Sequence, residues 1–239
     1  MIKNRITALI SAAAIFLGVL ATPLMAGSLG VGVIGSAVLI EADGTETLKS
    51  TSVKTKGDTS ALGGLASGYA QYTFGDGLGF VVGMNWSPGK TQIGQESKAV
   101  HDLASTTGYC LIRTTCTKNR EQDAKASIEN LVGGYIETPG FTPLGLYLLY
   151  SYNELEVKTE EKLGTGASYP DETINGHGWG VGIKGASDNG LQFKLAYEVV
   201  DWDTINLTST PNSTTDSGQN TISADVDTEM VRLSIGYNF

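Results

Sequence analysis

The chain has 239 residues, 41% of them hydrophobic, and 16 basic against 25 acidic side chains give it a formal net charge of −9. That length suits one large β-domain, and the acidic balance disfavours a nucleic-acid partner, whose phosphates it would repel. No apolar run after residue 26 approaches the ~18 residues that mark a helical membrane span; a membrane barrel stays open, because its alternating strands score near neutral hydropathy.

Residues 1–26 read as a secretory signal peptide. Lys3 and Arg5 form a basic start, an uncharged apolar run follows from Ile6 to Leu20, and Pro23 precedes the small-residue site Met25-Ala26-Gly27. A retained anchor is the rival reading, since Ile6 to Ala26 is long enough to cross a bilayer; Pro23 and the small residues after it favour cleavage, although Leu24 is larger than usual at its position. Cleavage would leave a domain of residues 27–239 with a net charge of −11, since Lys3 and Arg5 are removed.

The first expected strand, about 28–42, contains Gly30-Val31-Gly32-Val33-Ile34-Gly35, which matches G-x-G-x-x-G letter for letter. A dinucleotide fingerprint needs a strand before it and a helix opening at its glycines. Here a signal peptide precedes it and a strand-like run follows, so the glycines read as lining for a narrow interior. A second strand is expected at about 63–75. In the third, Leu78, Phe80, Val82, Met84 and Trp86 alternate with Gly79, Val81, Gly83 and Asn85. A fourth lies at about 126–138. Further along, Leu144 to Tyr152, Trp179 to Ile183, Leu191 to Val199 and Val231 to Phe239 all alternate with period two. That makes eight strands.

Their connections alternate in kind. Gly75-Asp76-Gly77, Pro139-Gly140-Phe141 and Ser187-Asp188-Asn189-Gly190 suit tight reversals. Between them lie polar segments at about 43–62, 89–125, 159–174 and 206–222, expected as long loops. All short turns then fall at one end, with both termini. The second loop is the longest and the only clearly basic one, and it holds Cys110 and Cys116. In an exported chain an even pair reads most simply as one disulfide, with free thiols or a metal site as alternatives. The last loop and its flanks are acidic, with Asp201, Asp203, Asp216, Asp225 and Asp227, at spacings that match no calcium loop; no metal site and no cofactor are expected. Asn206-Leu207-Thr208 and Asn212-Ser213-Thr214 match the glycosylation sequon as loop composition only.

The alternating C-terminal segment Val231, Leu233, Ile235, Tyr237, Phe239, the signal peptide and the four-loop layout resemble the small OmpA-type and OmpW-type outer-membrane barrels. The opening Ser28 to Val33, running on to Glu41–Glu46, is similar to small barrels of marine proteobacteria. The resemblance implies an all-β fold: an eight-stranded antiparallel up-and-down transmembrane β-barrel with long extracellular loops and short periplasmic turns. It implies export to the bacterial outer membrane, contact with its lipid and lipopolysaccharide, and a terminal segment similar to the signal read by the barrel-assembly machinery. No peptidoglycan-binding segment follows Phe239, so that family role is not carried over.

The physics of such a barrel sorts the remaining residues. Lipid demands an apolar outer face, with aromatics where strands leave the hydrocarbon; Phe80, Trp86, Tyr152, Trp179, Phe193 and Trp202 are the expected girdle. The same parity turns Lys184, Lys194, Glu198, Arg232 and Glu129 inward, with Arg232 and Glu198 as the expected ion pair. Eight strands enclose a lumen only just wide enough for side chains, which favours a structural plug over a selectivity ring. His101, near Asp102 and Ser105, and His177 read as exposed loop or strand-top histidines; a catalytic set built on either is the enzymatic alternative. The expected role is a non-enzymatic, monomeric envelope protein whose loops meet an extracellular ligand or phage. A narrow channel for small solutes or ions and a lipid-modifying enzyme are the alternatives.

Overall fold

The computed structural model describes residues 27–48, 52–75, 78–101, 119–162, 168–210 and 219–239. Residues 1–26, expected as a signal peptide, and Cys110 and Cys116, expected as a disulfide, lie outside the described residues. Among the described residues nine strands follow in chain order: β1 (Gly27–Leu48), β2 (Val53–Phe74), β3 (Phe80–His101), β4 (Asn119–Glu137), β5 (Leu146–Lys162), β6 (Glu172–Ala186), β7 (Leu191–Trp202), β8 (Ile205–Thr208) and β9 (Thr221–Asn238). Each pairs antiparallel with its neighbour, and β9 closes the ring on β1 from Gly30↔Asn238 to Thr47↔Thr221. β7 covers β9 as far as Asp201↔Asp227, and β8 takes over from Ile205↔Ala224. The two are pieces of one broken stave. The fold is therefore an eight-staved, up-and-down antiparallel β-barrel.

Several staves run far beyond their expected ends. β1 and β2 stay paired up to Leu48↔Val53, and β3 and β4 up to His101↔Asn119. Much of 43–62 and of 89–125 is thus hairpin, not loop, because backbone pairing continues wherever both strands can stay extended. β2 and β3 pair only from Gly68↔Trp86 to Phe74↔Phe80, so above that level the wall divides into two hairpins. At the other end, each short connection contains a glycine with positive φ: Gly75 at 83°, Gly145 at 66° and Gly190 at 88°. Glycine alone adopts this conformation without steric cost. The second of these turns is longer than expected, with Phe141 bridged to Leu146 and Leu144 inside the reversal.

Along each stave the hydrophobic phase inverts about halfway. In the half nearer the short turns the apolar side chains point out, as in Val231, Leu233, Ile235 and Tyr237 of β9 and Phe193, Leu195, Tyr197 and Val199 of β7. In the half nearer the long loops they point in, as in Val226 and Met230 of β9, Val200 and Trp202 of β7, Leu155 and Val157 of β5, and Val38 and Ile40 of β1. The outward positions there are charged: Asp225 and Asp227, Asp201, Glu154 and Glu156, Glu41 and Asp43. The change falls along one row of the register, Tyr152–His177–Asp201–Asp227–Glu41. Below that row the outward face is apolar over about the 9–11 residues needed for a tilted strand to cross hydrocarbon, with one exception just under the row, Glu229, which accepts from the Tyr197 hydroxyl at 2.8 Å. An exterior of this kind is stable only against lipid, and the other half is an ordinary water-soluble β-structure with an apolar core.

The lower lumen is filled by tyrosines laid over glycines. Methyl groups added at Gly83 and Gly182 would meet the rings of Tyr135 at 2.3 Å and Tyr147 at 2.8 Å, and one at Gly32 would meet Tyr69 at 2.6 Å. Glycine on one stave is what lets the ring of another lie flat along the wall of so narrow a barrel. Gly83→Ala should therefore displace Tyr135 and destabilise the barrel by about 1–3 kcal/mol, the usual cost of overpacking. Comparing the temperature at which the compact gel form is lost in wild type and variant checks this.

Candidate functional site

The lumen is filled in layers, the first of them at the short-turn end. Lys184 of β6 and Lys194 of β7 stand directly opposite each other in the register. Two like charges so placed repel, and Glu137 of β4 resolves the conflict. Its Oε1 accepts from Lys194 Nζ at 2.6 Å and its Oε2 from Lys184 Nζ at 3.4 Å. Lys184 also donates to the carbonyls of Gly79 at 3.0 Å and Thr138 at 2.8 Å. Lys194 donates to Gln71 Oε1 at 2.6 Å, which also accepts from the Tyr135 hydroxyl at 3.1 Å, while Gln71 Nε2 donates to Gln192 at 2.6 Å. Both ammonium groups lie near aromatic faces, Lys184 5.1 Å from the Tyr147 ring and Lys194 5.7 and 5.6 Å from those of Tyr69 and Tyr135.

One layer higher, the structure brings Arg232 and Glu198 together. Arg232 Nη1 donates to Glu198 Oε2, Ser151 Oγ donates to Glu198 Oε1, and Asn153 Nδ2 donates to Ser151 Oγ at 2.7 Å. Glu198 is completely buried. Gly178 makes room for this layer, since a methyl there would meet both Ser151 Oγ and Glu198 Oε1. Above it the lumen turns apolar, closed by Val38, Leu131, Leu155, Val200, Met230 and Trp202 among others.

Two expected placements are corrected. Trp202 is not on the outer girdle: it is only 6% exposed, and its Nε1 donates to Thr228 Oγ1 at 3.1 Å inside the barrel. It shares the inward parity of Val200, and nearness to the loops does not change which way a strand residue points. Glu129 is not in the lumen. A bulge in β4 between Glu129 and Val132, with Asn130 at φ 55°, resets the parity. Glu129 thus faces outward between Lys158 at 2.9 Å and Lys90 at 3.5 Å, with Glu160 on Lys90 at 2.6 Å. The hydrogen bond from Lys158 holds the Glu129 carboxyl below the usual carboxylate range. Glu137, which bridges the two lysines, was missed by sequence reasoning. Its shared parity with Gly133 and Tyr135 turns it inward, but parity does not say which side chains it meets.

The outer surface carries the other expected residues. Phe80, Trp86, Tyr152, Trp179 and Phe193 all project outward, as do Val231, Leu233, Ile235, Tyr237 and Phe239. His177 projects outward too, its Nδ1 2.8 Å from the Tyr150 hydroxyl and its ring edge-on to Tyr152. His101 ends β3, far along the chain from this cluster. Among the described residues no group of three or more His, Cys, Asp or Glu side chains is placed to hold a metal.

Fold and lumen together define a small membrane-spanning β-barrel with a filled interior. No known family's sequence profile matches the chain, and no curated protein does. Solved structures similar to it include the outer membrane protein OprG from Pseudomonas aeruginosa, with a TM-score of 0.49 at 12% identity, covering 90% of this chain and 97% of that one. Neisserial surface protein A is similar at a TM-score of 0.40 and 11% identity, covering 86% and 97%. The attachment invasion locus protein Ail of Yersinia pestis, solved with the heparin analogue sucrose octasulfate, gives 0.32 and 12%, covering 86% and 99%. The barrel assignment here rests on the register and closure of this chain itself.

Breaking the buried pair from one side should be severe. Glu198→Leu leaves Arg232 buried without its partner and is expected to cost about 3–5 kcal/mol, whereas Glu198→Leu with Arg232→Met should recover most of the loss. Unfolding midpoints of the three proteins in detergent measure both. On the outer surface, Asp227 faces Glu41 on one side and Asp201 on the other. Asp227→Asn should raise the midpoint, and the gain should shrink as salt is added.

Proposed function

We propose that this chain is a closed, non-enzymatic protein of the bacterial outer membrane that contributes to envelope structure and presents its loop-end hairpins outside the cell. The observation that carries the reading is the doubly blocked lumen. An ionic and aromatic layer built on Glu137, Lys194, Glu198 and Arg232 fills its lower half, and an apolar layer that includes Val200, Met230 and Trp202 fills the upper. Ions need a continuous polar path, and the two layers interrupt it for different reasons.

The apolar exterior below the Tyr152–Glu41 row and the short turns at one end support an outer-membrane location, and in this reading residues 1–26 are the signal peptide that routes the chain there. In this reading the barrel-assembly machinery recognises the Val231–Phe239 segment, and lipid and lipopolysaccharide surround a monomer. The divided wall above Gly68 and Trp86 gives the exposed hairpins access to an extracellular ligand or phage.

Planar-bilayer recording tests the closed lumen. Wild type should give no single-channel steps, and neither should Arg232→Ala, because the apolar layer still closes the path. Arg232→Ala combined with Trp202→Ala and Met230→Ala should conduct. Clear steps from the wild-type protein would overturn the reading. Turnover of phospholipid or lipid A by wild type and not by His177→Ala would overturn its non-enzymatic part.

A further inference from the structure

Among the described residues, the lower lumen is not charge-balanced. Three cations, Lys184, Lys194 and Arg232, face two carboxylates, Glu137 and Glu198, and all five side chains are at most 10% exposed. A buried surplus charge is expensive in a low-dielectric interior unless something compensates it. Beside the surplus lies a small cavity lined by Tyr69, Tyr147, Lys194, Arg232, Ser234 and Glu137, with room for about one water-sized particle.

One wall of this cavity is apolar, formed by Ile34, Leu149 and Ala196, and facing it are donors with unused capacity. Arg232 places one of its five N–H groups on Glu198. The hydroxyls of Tyr69, Tyr147 and Ser234 make no hydrogen bond to another described residue. The one carboxylate that reaches the cavity, Glu137, is already shared by two lysines. Surplus positive charge and convergent free donors are independent observations, and they coincide at one point in the lumen.

We infer that this cavity binds a single small monovalent anion, of the halide class, between Lys194, Arg232, Ser234 and the Tyr69 and Tyr147 hydroxyls. The anion neutralises the plug and accepts the hydrogen bonds that its walls offer. A polyatomic anion does not fit. The site is internal, so its occupancy stabilises the folded barrel and does not depend on any role at the cell surface.

The test uses the mature barrel folded in detergent, with unfolding midpoints measured as sodium chloride replaces sodium gluconate at constant ionic strength. A ligand that binds only the folded state raises the midpoint saturably, and that is the expected result for wild type. Lys194→Gln removes the surplus charge and should abolish the chloride dependence while leaving Glu137 paired with Lys184. Ser234→Ala removes a donor without altering charge and should raise the half-saturating chloride concentration by about tenfold, as loss of one hydrogen bond to a charged group does. If Lys194→Gln fails to fold, Ser234→Ala carries the test alone. Equal wild-type midpoints in chloride and gluconate would overturn the inference, since the surplus would then be relieved by a neutral lysine or by water. So would an unchanged half-saturation in Ser234→Ala.

Discussion

Closure of β9 on β1 is the constraint from which the rest follows. A sheet closed at eight staves has no unpaired edge where lipid surrounds it, which the hydrocarbon requires because it offers no hydrogen bonds. It also fixes the lumen at about the width of the side chains that line it. Once the ring has eight staves, the inward residues of opposite staves must touch. Glycine has to stand wherever a tyrosine ring lies against the wall, and every inward charge must find its partner among the few side chains within reach. Glu137 between Lys184 and Lys194, and Glu198 between Arg232 and Ser151, are solutions to that geometric problem.

The inversion of hydrophobic phase along each stave shows one strand serving two solvents. Near the short turns the outside must be apolar for lipid, and polar side chains are tolerated inside because they satisfy one another. Nearer the loops the outside meets water, and the ordinary rule of an apolar core returns. The alternation itself never stops; only its sense changes, at the row that runs from Tyr152 through Asp227 to Glu41. The acidic belt at that row, with Asp227 between two other carboxylates, is affordable because it faces water and salt.

The inversion also explains what was and was not legible in the sequence. Period two identified the lipid-facing half of five staves and the inward parity of Lys184, Lys194, Glu198 and Arg232, while the other three staves, at about 28–42, 63–75 and 126–138, show it more weakly. Beyond the inversion the outward residues are polar, and a reader searching for an apolar outer face sees loop. That is how the hairpin extensions of β1, β2, β3 and β4 were mistaken for connections. Trp202 was placed by height alone when its parity with Val200 already turned it inward. Glu129 could not have been placed from parity, because the bulge that redirects it inserts a residue whose only local sign is Asn130, an amide side chain that tolerates positive φ. The Glu137 bridge depends on contacts across the barrel, between staves far apart in sequence, which no local pattern encodes.

Register is where the two halves of the design meet. A slip of one residue between neighbouring staves would turn the apolar face inward and is excluded by the membrane. A slip of two residues keeps both faces correct, and lipid has no preference against it. What penalises that slip is the set of specific inward contacts. Moving β7 by two residues against β6 takes Lys194 off Glu137, and moving it against β9 takes Glu198 away from Arg232. The first shift also takes the Trp202 ring off Gly176. The buried ion pairs need not add much net stability to do this, since desolvation offsets much of their attraction. Their contribution is the free-energy gap between the correct register and its nearest competitors, and it is large because the narrow lumen gives a misplaced charge almost no water to solvate it.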